Sequence, residues 1–319
     1  MPSSSWRCAL GSVVTLLAIC ARAQAQQQAE GFATERLYLS APGAGWFVMD
    51  ALDMRGGLGG SFALTVGYAR NVWHLSDGTR SVPIVSDQAV ADLGAAVTYD
   101  RWRLYVNFEM PLVIKGQGGT IGDRSFSGPS VDLGSNPDTL TDARIGVDMR
   151  IVGTAASRFR LGAGAQLFVP NGNRSEYATD GTYRGMGRVL FAGDEGAVTY
   201  AGQLGIHLRP LNDTSAPGTP RGSELLFGAA LGAKLPVSPS GSTAIVVGPE
   251  VFGATALRDF FGSTATALEA LLSARLEGTG EEGLQLRVKL AGGAGVHQQF
   301  GAPDWRVVFS IEAFNHNAR

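Results

Sequence analysis

Cysteine is almost absent from this chain of 319 residues, and its placement excludes several kinds of site. The two cysteines, Cys8 and Cys20, both lie close to the N-terminus. The rest of the chain therefore cannot form a disulfide, and it offers no cysteine nucleophile or thiolate metal ligand. Histidine is scarce too, since the chain has 4 and no two share a metal-ligand spacing. No Gly-x-Ser-x-Gly turn is present either, so we expect no metal, no cofactor, no catalytic residue and no enzyme activity.

Charge is also in short supply. Asp, Glu, Lys and Arg make up 17% of the chain and the net charge is −2, whereas soluble domains usually carry roughly 25% charged residues. This balance gives no indication of nucleic-acid binding. No stretch of 18 apolar residues follows the N-terminal region, so the sequence predicts no transmembrane helix. A chain that crosses a membrane without such a helix has to do so as a closed barrel.

Residues 1–25 have the pattern of a signal peptide. A polar stretch with one positive charge precedes an apolar run, 8–20, which is shorter than the roughly 20 residues of a membrane-spanning helix. Small residues at 23 and 25 suit cleavage after Ala25. The sequence therefore predicts export. An uncleaved N-terminal anchor is the alternative, and the large Ile19 before Cys20 disfavours a lipoprotein signal.

Glycine and period-two alternation are abundant. The chain has 44 glycines, and each weakens a helix by roughly 1 kcal/mol. In residues 102–110 every even position is apolar, while the odd positions hold Arg103, Tyr105, Asn107 and Glu109. Successive side chains of a strand point to opposite faces, so this segment is a strand with one apolar face. Segments of about 10 to 13 residues repeat the pattern, which is the length that a tilted membrane strand needs.

The order of these segments indicates one closed sheet. Short turns alternate with longer loops at 71–86, 115–140, 170–182, 210–222, 254–266 and 296–304, and outer-membrane barrels place their short turns in the periplasm. We predict an all-β fold, an antiparallel transmembrane β-barrel of about 12 strands over residues 61–314, followed by a tail, 315–319. A soluble β-sandwich or jelly roll is the alternative, but the strands of soluble proteins are usually shorter. The predicted strand cores are 61–70, 87–99, 102–113, 141–153, 158–169, 183–192, 197–209, 223–235, 243–253, 267–277, 284–295 and 304–314.

Residues 26–60 form a leader before the barrel. Its segment 46–55 also alternates, but a thirteenth strand would leave the barrel with an odd number. We therefore expect this leader to pack in the lumen or to pair at the barrel seam.

The polar faces of the predicted strands are rich in charge, with basic residues in excess. Rings of Arg and Lys favour anions in a water-filled pore, whereas Arg–Glu pairs and a packed leader would close a narrow barrel. Small inward residues such as Gly228 and Gly232 leave room for either water or a plug. The predicted lumen-facing residues are Arg103, Glu109, Arg144, Asp148, Arg150, Arg160, Arg188, Arg209, Glu224, Lys234, Glu250, Glu269, Arg275, Arg287, Lys289, Arg306 and Glu312.

Aromatic side chains are expected at the membrane interfaces, where amphipathic rings settle. The candidates, which we place at strand ends beside short turns, are Tyr99, Trp102, Phe159, Phe191, Tyr200 and Trp305. Phe309, Ile311 and Phe314 end the last strand. A terminal aromatic strand is what the barrel-insertion machinery reads, so we expect that machinery as a transient partner, beside outer-membrane lipid.

Three segments carry a resemblance to a known family. Residues 45–56 (GWFVMDALDMRG), 222–230 (GSELLFGAA) and 247–253 (VGPEVFG) resemble the N-terminal barrel of OmpA-family outer-membrane proteins of myxobacterial type. The likeness extends over most of 31–314 and implies fold and location. Members often continue into a periplasmic peptidoglycan-binding domain. The sequence ends at Arg319, five residues after Phe314, so we expect no such domain here, and the resemblance then implies a pore or a scaffold.

Three functions stay open at this point. The first is a passive channel or transporter-like pore for small polar or anionic solutes in the outer membrane of a Gram-negative bacterium. The second is a closed structural barrel that acts through its loops, as in OmpA. The third, a barrel hydrolase, would need a Ser–His pair on one surface.

Overall fold

The computed structural model describes residues 27–76, 79–121, 124–137, 140–211, 221–238, 243–278, 283–299 and 301–316. The predicted signal peptide, 1–25, and the last three residues of the predicted tail lie outside these ranges. No helix within them has the length and apolar character needed to cross a membrane.

Twelve long strands form one antiparallel sheet that closes on itself. Each pairs with the next along the chain, and the last pairs with the first through a continuous register from Trp305–Arg70 to His316–Gly59. The predicted fold class, an all-β antiparallel barrel of twelve strands, is confirmed. The strands are β1 Leu58–Ser76, β2 Ser81–Tyr99, β3 Trp102–Lys115, β4 Ala143–Val152, β5 Arg160–Val169, β6 Arg184–Glu195, β7 Val198–Leu208, β8 Glu224–Pro236, β9 Thr243–Ala256, β10 Thr266–Gly278, β11 Gly283–His297 and β12 Trp305–His316.

The alternation of the sequence sets the two faces of the sheet. In β3, Arg103 and Tyr105 are buried inside the barrel, while Leu104 and Phe108 are exposed on its outer surface. The same alternation runs through the other strands. The outside of the barrel is therefore apolar and the inside is charged.

The first hairpin is longer than predicted. We expected a loop at 71–86, but β1 continues to Ser76 and β2 begins at Ser81. The prediction was wrong because this extension has an apolar face of its own, with Trp73 and Val85 buried in a cluster with Phe32. Register shifts beyond Arg70 break the simple alternation of β1.

Residues 29–57, which we call the plug, run through the barrel from one end to the other. At the long-loop end, the Ala29 amide donates to the carbonyl of Ser125. At the short-turn end, the Gly57 carbonyl accepts from the amide of Asp100. Within the described residues, no backbone hydrogen bond joins the plug to a barrel strand. The plug is therefore not a thirteenth strand, and the seam between β12 and β1 is closed without it.

Candidate functional site

The predicted lumen-facing residues lie on the inner face of the barrel. All are buried except Glu109 and Lys234, which are partly buried. The prediction missed Asp92 of β2 and Glu277 of β10, which are buried on the same face. Glu277 lies eight positions after Glu269 in the same strand, so the period-two alternation predicts that both face the lumen.

In the short-turn half of the lumen, side chains of the wall bind the plug. Arg103 Nη1 lies 2.6 Å from Asp50 Oδ2, and its Nη2 lies 3.2 Å from Asp53 Oδ1. The Glu250 carboxylate accepts from the amides of Phe47 and Val48, at 3.0 and 2.9 Å. These acids and amides of the plug come from a segment with no strand partner, so no spacing rule in the sequence predicts which wall residue each one contacts.

Two further contacts use carbonyl groups of the plug. Arg150 donates to the carbonyl of Leu52 at 3.0 Å, and Lys289 Nζ donates to the carbonyl of Trp46 at 3.2 Å. Among the described residues, the polar contacts between the wall strands and the plug therefore all involve at least one side chain.

In the long-loop half, a second set of charges holds the beginning of the plug. Arg36 Nη2 and Arg209 Nη1 lie 2.9 and 2.8 Å from Glu224 Oε1. Asp180, in the loop between β5 and β6, binds Arg209 and accepts from the amide of Ala33 at 2.9 Å. Loop, wall and plug are thereby joined in one network.

Asp180 remains ionised in this network. Burial alone would raise the pKa of Asp180, but the guanidinium groups of Arg209 and Arg184 hold that pKa well below its usual range. A pKa that folding lowers stabilises the folded state at every pH above the ordinary aspartate pKa, and the effect fades only as the pH falls below it. Mild acid therefore does not release this end of the plug through Asp180.

Ion pairs within the wall neutralise much of the remaining charge. Asp148 pairs with Arg188 at 3.0 Å, Glu312 pairs with Lys289 at 2.6 Å, and Glu269 pairs with Arg306 at 2.8 Å. Arg306 also binds Glu35 of the plug at 3.0 Å. The basic excess expected from the sequence is therefore present largely as paired charge.

The plug also has an apolar core. Trp46, Phe47, Met49, Leu52 and Met54 are almost fully buried and pack against inward apolar residues of the wall. Burial of a large apolar side chain stabilises a protein by about 1.5–3 kcal/mol. This core therefore contributes more to holding the plug than any single ion pair does.

Two inward glycines make room for these side chains. A Cβ at Gly228 would lie 2.3 Å from Met49 Cε, and one at Gly232 would lie 2.7 Å from Trp46 Cη2. Both distances are shorter than a non-bonded contact allows, so the small residues of this wall accommodate the plug.

A polar cavity of about 50 Å³ remains between the plug and β2–β6 in the long-loop half. Its lining includes Glu35 and Tyr38 of the plug and Asp92, Glu109 and Arg144 of the wall. Other cavities beside the plug measure about 20 Å³ each. A cavity needs roughly 10–15 Å³ to hold one water molecule, so the larger cavity has room for several.

Two of the histidines, His207 and His297, have structural partners. His207 Nδ1 lies 3.3 Å from the hydroxyl of Tyr38, and His297 Nδ1 lies 2.6 Å from the carbonyl of Thr266. Within the described ranges, no group of three or more His, Cys, Asp and Glu residues could hold a metal ion. The expectation that the chain is not an enzyme stays a prediction.

The interface aromatics lie at both ends of the barrel. Tyr99, Trp102, Phe159 and Phe191 are exposed on the outside, and Tyr200 is partly buried. Our placement of Trp305 beside a short turn was wrong, because Trp305 begins β12 after the loop 298–304 and pairs with Arg70 at the long-loop end.

The last strand divides its terminal residues between the two faces. Phe309 and Ile311 are exposed outside, whereas Phe314 is buried in the lumen, with the guanidinium of Arg287 4.6 Å from its ring centre. Only part of this aromatic ending therefore faces outward.

Comparisons with known proteins show fold similarity at low identity. No protein-family model and no curated protein matches the chain. Among solved structures, it is similar to an outer-membrane channel from Pseudomonas putida F1, with 15% identity, 82% of this chain and 95% of that chain covered, and a TM-score of 0.49. It is also similar to the NanC porin, with 9% identity, coverage of 80% and 99%, and a TM-score of 0.45. A third similar structure is the beta domain of the Bordetella autotransporter BrkA, with 12% identity, 81% of this chain and 99% of that chain covered, and a TM-score of 0.43.

At these identities and TM-scores the similarity does not bear on activity, solute or partners. The resemblance to OmpA-family barrels of myxobacterial type also stays a prediction, since no family model supports it.

Proposed function

We propose that this protein is an outer-membrane channel for small polar or anionic solutes, closed at rest by its own plug. The observation that carries the proposal is a charged barrel wall that binds the plug through side chains, with no shared backbone ladder among the described residues. Such a plug can shift without breaking the sheet, and its shift would open a polar lumen.

An apolar outer surface supports location in a membrane. Leu104, Leu204 and Leu272 lie on the outer face of three strands and are each more than half exposed. A soluble monomer rarely exposes so continuous an apolar surface. Aromatic rings at both ends fit the two interfaces of a bilayer. We further propose that β12 is the strand through which the insertion machinery makes its transient contact.

If the barrel spans a membrane, the loss of stability caused by a charged residue on its outer face should depend on how deep that residue lies in the bilayer. We expect Leu272→Arg, at the middle of β10, to lower the free energy of unfolding by about 2–4 kcal/mol in vesicles, and Leu284→Arg, beside a short turn, by about 0–1 kcal/mol. The two leucines are 63% and 73% exposed, so burial by protein does not separate them. Urea unfolding in lipid vesicles measures both. Equal costs would contradict insertion with this orientation of the strands.

The charges freed by plug movement support a preference for anions. Arg103 and Arg306 are paired with plug acids in the closed state. Withdrawal of Asp50 and Asp53 leaves the Arg103 guanidinium without an acid partner, whereas Arg306 keeps its ion pair with Glu269 of the wall. An unpaired guanidinium that faces the lumen favours anionic solutes.

Single-channel recording in a planar bilayer tests the proposal directly. With the chain from residue 26 onward, we expect a long-lived closed state interrupted by brief openings whose reversal potential in a salt gradient favours anions. Insertion must be shown independently, for example by protease protection. An inserted protein that never opens, with or without a loosened plug, would exclude the channel.

A closed structural barrel is the second candidate, and the apolar core of the plug favours it. Removal of Trp46, Phe47, Met49 and Leu52 from the lumen would cost on the order of 10 kcal/mol. The state with the plug completely ejected is therefore negligibly populated, and any opening has to be a partial displacement of the plug. If no displacement conducts, the function lies in the long loops.

A further inference from the structure

The cavity of about 50 Å³ beside the plug contains an unusual group of wall residues. Asp92 of β2 lies directly opposite Glu109 of β3, and Asn107 of β3 lies directly opposite Arg144 of β4. Directly opposite residues of neighbouring strands have Cβ atoms about 4.5–5.5 Å apart. Two acids, one amide and one guanidinium therefore share one small patch of the inner wall.

The hydrogen bonding of this patch is incomplete. Asn107 Nδ2 donates to Asp92 Oδ1 at 2.6 Å, but Asn107 Oδ1 is buried without a partner among the described residues. Arg144 is only 5% exposed, and its Nη1 is likewise buried without a partner among the described residues. Buried polar atoms in native proteins are nearly always paired, so each of these requires an explanation.

The charges of the patch are also unbalanced. Other lumen acids, such as Asp148, Glu269 and Glu312, lie within 3.0 Å of a basic side chain. Asp92 and Glu109 have no such ion pair within the described ranges. Like charges directly opposite each other on a sheet are destabilising. A cationic group between the two carboxylates would remove this repulsion.

We propose that the cavity binds a small zwitterion, an α-amino acid of about the size of glycine. Its ammonium group lies between the carboxylates of Asp92 and Glu109 and donates to Asn107 Oδ1. Its carboxylate accepts from Arg144 Nη1. The ligand thus supplies a donor where the patch has unpaired acceptors and an acceptor where it has an unpaired donor.

Size supports this class of ligand. At roughly 10–15 Å³ for each water molecule, the cavity holds about three to five water-sized groups. Glycine has five non-hydrogen atoms, whereas a longer side chain would meet Tyr38 and Glu35 of the plug, which border the cavity. The proposal names a solute for the channel and so rests on the proposed function, but binding itself does not require conduction.

Calorimetric titration of the folded protein in detergent tests the site with three matched probes: glycine, methylammonium and acetate. We expect glycine to bind at least tenfold more tightly than either single-charge probe. Arg144→Gln should remove the preference for glycine over methylammonium, and Glu109→Gln should weaken glycine and methylammonium alike. Arg158→Gln, which removes an exposed charge at the short-turn end, is the control and should change nothing.

Each outcome decides the proposal. Glycine that binds no better than methylammonium, or that binds equally well to Arg144→Gln, overturns it. So does an absence of binding up to roughly 10 mM glycine in a protein shown to be folded, which would leave a water-filled cavity. Binding without any conductance would instead support the site while excluding the channel.

Discussion

Replacement of Arg103 by alanine is expected to raise the open probability of the barrel by about 100-fold to 4,000-fold. Arg103 is buried in the wall and forms ion pairs with Asp50 at 2.6 Å and Asp53 at 3.2 Å. Removal of one partner from a buried ion pair costs about 3–5 kcal/mol, because the other charge stays buried and uncompensated. Here the cost falls on the closed state, since a displaced plug returns Asp50 to water. Each 1.4 kcal/mol changes the population ratio tenfold.

The measurement is single-channel recording of Arg103→Ala beside Arg101→Ala. Arg101 lies in the neighbouring turn and is exposed, so it controls for the loss of one positive charge at this end. A second substitution, Asp50→Ala, in the Arg103→Ala protein removes the unpaired carboxylate and should restore part of the closed state. An Arg103→Ala barrel that is inserted, folded and as closed as the parent would argue for the structural barrel.

A disulfide between plug and wall is expected to abolish conduction altogether, and reduction is expected to restore it. A Cβ at Gly43 would lie 3.3 Å from Ser61 Cβ of β1, close to the roughly 3.5–4.5 Å of natural disulfides. Gly43→Cys with Ser61→Cys therefore places a bridge between the plug and the first strand. The chain from residue 26 onward has no other cysteine, so no competing pair can form.

The largest effect is expected when this bridge is made in the Arg103→Ala protein. Oxidation should silence the frequent openings, and a reductant should bring them back in the same bilayer. Each single cysteine variant is a control, because Gly43 has a φ of +82° and a side chain there is strained whether or not a bridge forms. Openings that persist in a fully oxidised sample would mean that ions pass beside a stationary plug.

The sequence predicted the barrel because each strand pattern is local. A strand such as β3 shows its two faces within nine residues, and the turn signals mark where the chain reverses. The extension of the first hairpin escaped prediction because Trp73 and Val85 pack on Phe32 of the plug, far away in the chain. Local alternation contains no trace of such a partner.

The candidate site was predicted in part for the same reason. Charged residues in clear alternation, such as Arg103 and Arg144, were identified from the sequence. Asp92 was missed because its neighbours on the inner face of β2 include Gly94 and Ala96, which give little contrast with the outer face. The pairing of Asp50 with Arg103 joins residues 53 positions apart and depends on the path of the plug, which no spacing rule specifies.

The course of the plug restricts the order in which this protein can assemble. Its first described residues lie among the long loops, yet it enters β1 at the opposite end. If β12 paired with β1 before the plug was in place, the N-terminal end of the plug would have to be threaded through a barrel that is already closed. The simpler route is for the sheet to curl around a plug already laid against it, so that closure of the seam is the last step and traps the segment lengthwise.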